Sequence, residues 1–255
     1  MITKRIVPCL DVKDWKVVKG VKFKNHKIIW DVLELAEKYA NSWADELVFY
    51  DISASTTWKT VDKKWVWDIA KVLNIPFCVA GWIRTVEDAK KILNLWADKI
   101  SINSPALDNP DFINKLVEIV GSQAVVIWID SYFDWKDYFV YKYTWSEKTI
   151  QNTKLKTADW IKEVVKRWAW EIVLNCINQD WVRKGYDLEQ LKIMWKICKV
   201  PLIASGGAGE EKDFLDVFEK TSVSWALAAS VFHYDKIEIN NLKKYLKNSK
   251  INIRI

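Results

Sequence analysis

A (β/α)8 barrel of the TIM type, built from two similar half-barrels, is the fold this sequence predicts, on three observations. Short, apolar, mostly β-branched runs alternate with amphipathic stretches of helical spacing throughout the 255 residues. About eight such units in this length fit a closed barrel better than an open sheet. Segments also recur at a fixed offset: Trp43-Ala44-Asp45-Glu46-Leu47-Val48 returns as Trp168-Ala169-Trp170-Glu171-Ile172-Val173. Likewise Phe77-Cys78-Val79-Ala80-Gly81-Trp82 matches Leu202-Ile203-Ala204-Ser205-Gly206-Gly207, each 125 positions on. The chain reads as one barrel domain, 1–255, with half-barrels of approximately 1–122 and 123–255.

The first stretch, RIVPCLDVKDWKVVKG from Arg5, delivers Asp11 at the end of an apolar run and follows it with basic residues within hairpin reach. AVVIWIDSYFDWKDYFV, from Ala124, repeats that design around Asp130, 119 positions on; a difference in loop length explains the slippage. Strands are expected at 5–11, 46–51, 76–80, 98–103, 124–130, 171–176, 201–205 and 225–229. Amphipathic helices are expected at 31–41, 62–73, 85–95, 110–119, 157–167, 187–197 and 210–219, and Ile237 to Leu246 reads as a closing helix. No Pro/Gly/Ser-rich linker interrupts them.

Composition narrows the function classes. Hydrophobic content of 50% and charged content of 28% are those of a globular protein; no apolar run is long enough to cross a bilayer and no basic, apolar leader is present, which places the chain in the cytoplasm and off the membrane. The net charge of +6 is spread along the chain without aromatic interleaving, which argues against nucleic acid and suits an anionic substrate. Cys9, Cys78, Cys176 and Cys198 have no metal-ligand spacing, and His26 and His233 stand far apart, so neither a metal nor another cofactor is expected.

Tryptophan usage is anomalous: 17 Trp against 7 Gly. Asp14-Trp15, Asp134-Trp135 and Asp180-Trp181 read as Asp-Gly turns, and Trp43, Trp96 and Trp168 follow helical stretches where a left-handed residue is wanted. We read these as glycines encoded by UGA and printed as Trp; UGG codons in the gene would reject that reading. Trp65 and Trp160, inside amphipathic helical patterns, read as genuine.

The matched turns carry the chemistry. Gly81-Trp82 and Gly206-Gly207 follow the third and seventh strands, where a barrel presents backbone amides that bind phosphate, and Asn103-Ser104 and Ala229-Ser230 follow the fourth and eighth. Two phosphate sites across one mouth are expected. Asp11 and Asp130 end strands one and five, facing each other as a general acid and base. At the opposite end Arg5, Glu46, Lys99 and Glu171 begin strands and share one layer, either a plug or a gate.

Several segments together are highly specific: RIVPCLDVKDWKVVKGVKF, ADELVFYDISAS, IPFCVAGWIR, ADKISINSPAL, NQDWVRKGYDLEQL, and PLIASGGAG with ALAASVFH. On these the chain resembles, over essentially its whole length, the cyclase subunit of imidazole glycerol phosphate synthase. The resemblance implies a carbon–nitrogen lyase of histidine biosynthesis in a heterodimer with a glutaminase subunit, whose ammonia enters the barrel floor. The ammonia meets a bisphosphorylated, ring-opened aminoimidazole carboxamide ribonucleotide at the mouth, giving imidazole glycerol phosphate and aminoimidazole carboxamide ribotide. It implies Asp11 as general acid, Asp130 as partner base and Lys19 on a mobile first loop. One phosphate site maps to Trp82, Asn103 and Ser104, the other to Asp180, Trp181, Gly206, Gly207, Ala229 and Ser230. Arg5, Glu46, Lys99 and Glu171 map to an ammonia gate. The family carries glycine where this chain has Trp at 15, 30, 43, 58, 82, 96, 128, 145, 168, 170, 181 and 225, and Trp135 joins them. The competing readings are the sister half-barrel phosphoribosyl isomerase, which needs no ammonia, and a non-catalytic scaffold that binds a glutaminase and a phosphorylated ligand.

Overall fold

Eight short parallel strands close on themselves in the computed structural model, which describes residues 3–13, 16–21, 24–52, 63–81, 83–145, 148–180 and 182–255. The barrel strands are β1 (Arg5–Lys13), β4 (Leu47–Asp51), β5 (Phe77–Ala80), β6 (Lys99–Ile102), β7 (Val125–Phe133), β10 (Glu171–Cys176), β11 (Leu202–Ser205) and β12 (Trp225–Ala228). Each pairs in parallel with the next, and β12 returns to β1 through Arg5↔Trp225 and Ile6↔Ala226. Two antiparallel extensions stand on the mouth. β2 (Lys16–Val21) and β3 (Lys24–Asp31) continue from β1, and β8 (Tyr138–Lys142) and β9 (Gln151–Lys156) continue from β7. All eight expected barrel strands are present; the hairpins extend what the sequence suggested only as a return after each aspartate.

Successive strand residues point to opposite faces, so each barrel strand serves two cores. Ile6, Phe49, Val79, Ile100, Ile127, Leu174, Ala204 and Ala226 join the shell between strands and helices. Val7, Val48, Cys78, Val126, Val173, Ile203 and Leu227 fill the interior. The helices bury one stripe against that shell. In α1 (Val32–Asn41) the buried residues Val32, Leu35, Ala36 and Tyr39 fall at helical spacing, and the Asp31 carboxylate caps the first turn by accepting from the Leu33 amide at 3.0 Å. No helix among the described residues is long and apolar enough to cross a membrane.

The same alternation places the polar residues. Arg5, Glu46, Lys99 and Glu171 lie on the inward register at the strand starts, and Asp11, Asn103, Asp130 and Asn175 lie on it at the strand ends. Six residues of strand, roughly 20 Å, separate Arg5 from Asp11.

Among the described residues, four tryptophans occupy left-handed backbone. Trp43, Trp96 and Trp168 follow helices at φ 70°, 72° and 68°, and Trp135 turns the β7–β8 hairpin at φ 74°. These are the positions where the sequence asks for glycine. Trp30, Trp128, Trp145, Trp170 and Trp225 have no such φ, and Trp15, Trp58, Trp82 and Trp181 lie outside the described residues. Trp65 and Trp160, read as genuine, are buried in the shell.

Left-handed backbone costs a residue bearing Cβ about 1–2 kcal/mol, and glycine's unfolded-state entropy returns part of it. Trp96 and Trp168 are more than 70% exposed, so little packing is lost with the indole. Trp96→Gly and Trp168→Gly should each raise the unfolding free energy by about 0.5–1 kcal/mol, read as a higher urea midpoint with an unchanged slope.

Candidate active site

The mouth divides into two compartments. Tyr50 and Trp145 line both and pack with ring centroids 4.4 Å apart and planes tilted by 45°, forming a partition between them. The first compartment holds Asp11 and Asp130 together with Asp180, Arg183, Gly206, Gly207, Ala229 and Ser230. The second is lined by Gly81, Arg84, Ser101, Asn103, Ser104, Tyr143 and Lys148. Their volumes are about 100 Å³ and 920 Å³; Trp128 lines the first and Trp145 lines both.

Asp130 is almost fully buried and each of its oxygens accepts two hydrogen bonds. Oδ1 accepts from Trp128 Nε1 and Asn175 Nδ2, both at 2.9 Å; Oδ2 accepts from Asn103 Nδ2 at 2.9 Å and Thr144 Oγ1 at 2.6 Å. All four lone-pair directions are used. Burial pushes the carboxyl above its ordinary value, and the four hydrogen bonds oppose that shift. Asn175 is fixed in turn by Ser205 Oγ, which donates to its Oδ1 at 3.0 Å, so the residue before Gly206 is tied to Asp130 through one amide. Asp11 sits on β1, diametrically across the barrel from Asp130 on β7, and lines the same compartment.

The glycine turns permit close backbone approach. A Cβ at Gly207, whose φ is 106°, would lie 2.1 Å from the Gly185 carbonyl oxygen, and one at Gly81, at φ 118°, would lie 2.5 Å from that of Asp51. Ala229 precedes the short helix Ser230–His233 as Asn103 precedes Ser104–Asp108, an equivalence that carries through both halves. Ser104 Oγ accepts from the Tyr143 amide at 2.9 Å, and Asn103 directs its side-chain amide nitrogen to Asp130 while lining the other compartment. The Asp180 amide donates to the Cys176 carbonyl at 3.0 Å. Lys19 lies in β2 with its backbone in register with Lys27. Trp82 and Trp181 lie outside the described residues.

At the floor, Lys99 Nζ donates to Glu46 Oε2 at 2.8 Å and to both Glu171 oxygens at 2.9 Å. Arg5 adds its charge to this layer and its guanidinium lies over the Trp225 ring. Burial, with the neighbouring Glu46 charge adding to it, pushes Glu171 up to about 7 against the pull of Lys99. Glu46 is likewise raised by burial; Lys99 is held above the usual ammonium value because its two carboxylates outweigh its own burial.

Sequence reasoning missed Arg84, Thr144, Asn175 and Arg183 at the mouth. Arg84 closes the AGWIR turn, and Asn175 falls on the inward register of its strand, so both carried a signal. Thr144 reaches Asp130 from the hairpin loop and carried none. Among the described residues no group of three His, Cys, Asp or Glu side chains could hold a metal ion.

A histidine biosynthesis protein family model matches residues 5–238. The chain is 58% identical to imidazole glycerol phosphate synthase subunit HisF of Aliivibrio salmonicida, 57% to that of Proteus mirabilis and 55% to that of Vibrio parahaemolyticus, with all of each chain covered.

Glu171 takes up a proton on folding. With its folded value near 7 above an ordinary 4.5, its contribution to stability is full below about pH 4.5 and is lost as pH rises through about 7. Glu171→Gln should flatten the fall in unfolding free energy over that window, measured by denaturant titration at several pH values.

Proposed function

The chain belongs to the histidine biosynthesis protein family, among the HisF subunits of imidazole glycerol phosphate synthase, and on that footing we propose how its barrel performs the cyclase reaction. The subunit uses ammonia to convert the bisphosphorylated, ring-opened ribonucleotide into imidazole glycerol phosphate and aminoimidazole carboxamide ribotide. Asp11 is the general acid and Asp130 the general base. The observation that carries this reading is the entry of both carboxylates, from opposite walls, into one compartment that also contains the Gly206–Gly207 turn and Ser230.

A ligand with a phosphate at each end suits two polar compartments meeting at an aromatic partition. Gly206, Gly207, Ala229 and Ser230 receive one phosphate beside Arg183. Residue 82, Asn103 and Ser104 receive the other, with Arg84 and Lys148 alongside. Asp180, whose amide is already bonded and whose carboxylate repels phosphate, serves a sugar hydroxyl beside residue 181. Lys19, on the first hairpin, acts over the occupied mouth.

Asp130 can take a proton only when one of its four donors gives way. The Thr144 hydroxyl can rotate, whereas the Asn175 amide is held by Ser205 and Asn103 sits between the end of β6 and a short helix. Burial that disfavours the anion makes Asp130 a stronger base than an exposed carboxylate, and the remaining donors keep it oriented.

A subunit named as part of a synthase works with a partner. We assign that partner as a glutaminase forming a heterodimer beneath the floor, with Arg5, Glu46, Lys99 and Glu171 as the gate through which its ammonia enters.

With ammonium salt as nitrogen source, Asp11→Asn and Asp130→Asn should each lower kcat by about 10²–10⁴-fold while substrate affinity changes by less than about threefold. Full turnover in either variant would remove that residue from the chemistry. Conversion of the closed precursor without ammonia would instead identify an isomerase, and retained cellular function in Asp11→Asn would point to a scaffold.

A further inference from the structure

The two donors to Asp130 Oδ2 come from segments that are fastened to each other. Asn103 immediately precedes the short helix Ser104–Asp108, and Thr144 immediately follows Tyr143, the first residue beyond β8. Both ends of that helix hold Tyr143. Ser104 Oγ accepts from the Tyr143 amide at 2.9 Å, and one oxygen of the Asp108 carboxylate accepts from the Tyr143 hydroxyl while the other takes the Lys142 ammonium at 2.6 Å. Thr149 Oγ1 donates to the Tyr143 carbonyl at 2.9 Å. The contacts close a ring from Asp130 through Asn103, Ser104, Tyr143 and Thr144 back to the same carboxylate oxygen. None of them involves a tryptophan. Tyr143 also has left-handed backbone, at φ 55°, which a residue bearing Cβ rarely adopts. Such a conformation persists only where its surroundings hold it, and here the amide, the carbonyl and the hydroxyl of one residue are all bonded. Burial and the neighbouring Asp108 push the phenol up to about 12, so it stays a donor at neutral pH.

We propose that Tyr143, fastened by Asp108, is a positioning residue for the reaction: it holds the Thr144 hydroxyl on Asp130 and so sets the readiness of the base from the neighbouring compartment. This rests on the cyclase reading with Asp130 as general base. Ser104, Asp108 and Tyr143 line the second compartment, whereas Asp130 lies in the first, so a substrate that reaches into both meets the clasp at one end and the base at the other. Freed from its anchors, Tyr143 relaxes towards the ordinary β region and turns Thr144 off the carboxylate. The titratable and charged groups that share the compartment with Asp130 stay in place: Cys9 and Asp11 of β1, Tyr50 of β4, and Asp180 and Arg183 beyond β10. The anion then has one donor fewer, and its protonation moves to higher pH.

The test follows ammonium-driven kcat against pH in Asp108→Ala, Tyr143→Phe and Thr144→Val. In the unsubstituted protein kcat rises with pH as the base loses its proton. Each variant should move the midpoint of that rise upward by about 0.5–1 unit, lowering kcat below the midpoint by about three- to tenfold while KM changes by less than about threefold. Asp108→Glu, which keeps the acceptor, should restore the midpoint. The double variant Asp108→Ala with Thr144→Val should move it no further than Thr144→Val alone, because the clasp acts through that hydroxyl. The Asp108 side chain is partly exposed and its ion pair contributes little to folding, so Asp108→Ala should keep the urea midpoint of the unsubstituted protein. A pH midpoint unmoved in both Asp108→Ala and Tyr143→Phe, whatever happens to KM or to the urea midpoint, overturns the proposal, and so does an additive double variant. Full turnover in Asp130→Asn, or no ammonium-driven turnover in the unsubstituted protein, overturns the reading beneath it instead.

Discussion

A barrel of eight short strands has a single interior, and every second residue must face it. That constraint organises the rest of the molecule. Ionisable groups can occupy the interior only at its two ends, and the apolar residues Val7, Val48, Cys78, Val126 and Val173 take the layers between. Each buried charge then needs partners. Lys99 answers for Glu46 and Glu171 together, and removing it would leave two buried carboxylates facing each other, a change of the kind that costs about 3–5 kcal/mol. Asp130 is answered by four neutral donors instead, which hold its position and favour its anion against burial.

The two ends differ in how strictly they are tied down. The floor is closed by ion pairs and an aromatic ring drawn from five barrel strands, which makes it a rigid layer. The mouth is assembled from strand ends, two glycine turns and a hairpin, so donors such as Thr144 arrive from the loop between β8 and β9. Rigid orientation at one end and adjustable donors at the other suit an enzyme that must hold a gate and rearrange around a substrate. Asn103 links the two compartments: its side chain bonds Asp130, and its backbone caps the short helix that starts at Ser104.

Much of this was legible in the sequence because the barrel writes itself in short periods. Alternation in β-branched runs marks the strands, and the offset of 125 positions pairs Glu46 with Glu171 and Gly81 with Gly206. Once Asp11 and Asp130 were placed at strand ends, their shared compartment followed from topology. What stayed hidden depends on which inward residues meet in space. Trp128 and Tyr50 meet across the interior with ring centroids 5.4 Å apart although 78 positions separate them, and no local pattern records such a meeting. The layout of the floor charges was hidden likewise: Lys99 pairs with both acids, whereas Arg5 enters the layer over the Trp225 ring. The left-handed tryptophans were the reverse case, since Asp-Trp turns and helix ends announced a backbone that the printed side chain does not prefer.

The strict two-residue period also limits how such a chain can change in length. Inserting or deleting one residue just before β6, so that the strand slips by one position, would turn Lys99, Ser101 and Asn103 outward and bring Ile100 and Ile102 inside, dismantling the floor pairing and the support of Asp130 in one step. Length can vary freely only where the chain leaves the barrel. The two halves fit that rule: the spacing of Asp11 to Glu46 is six residues shorter than that of Asp130 to Glu171, and both intervals contain the hairpin that stands on the mouth. Drift in length is therefore steered towards the substrate-facing end, leaving the ring of strands as a fixed gauge on which new mouths can be built.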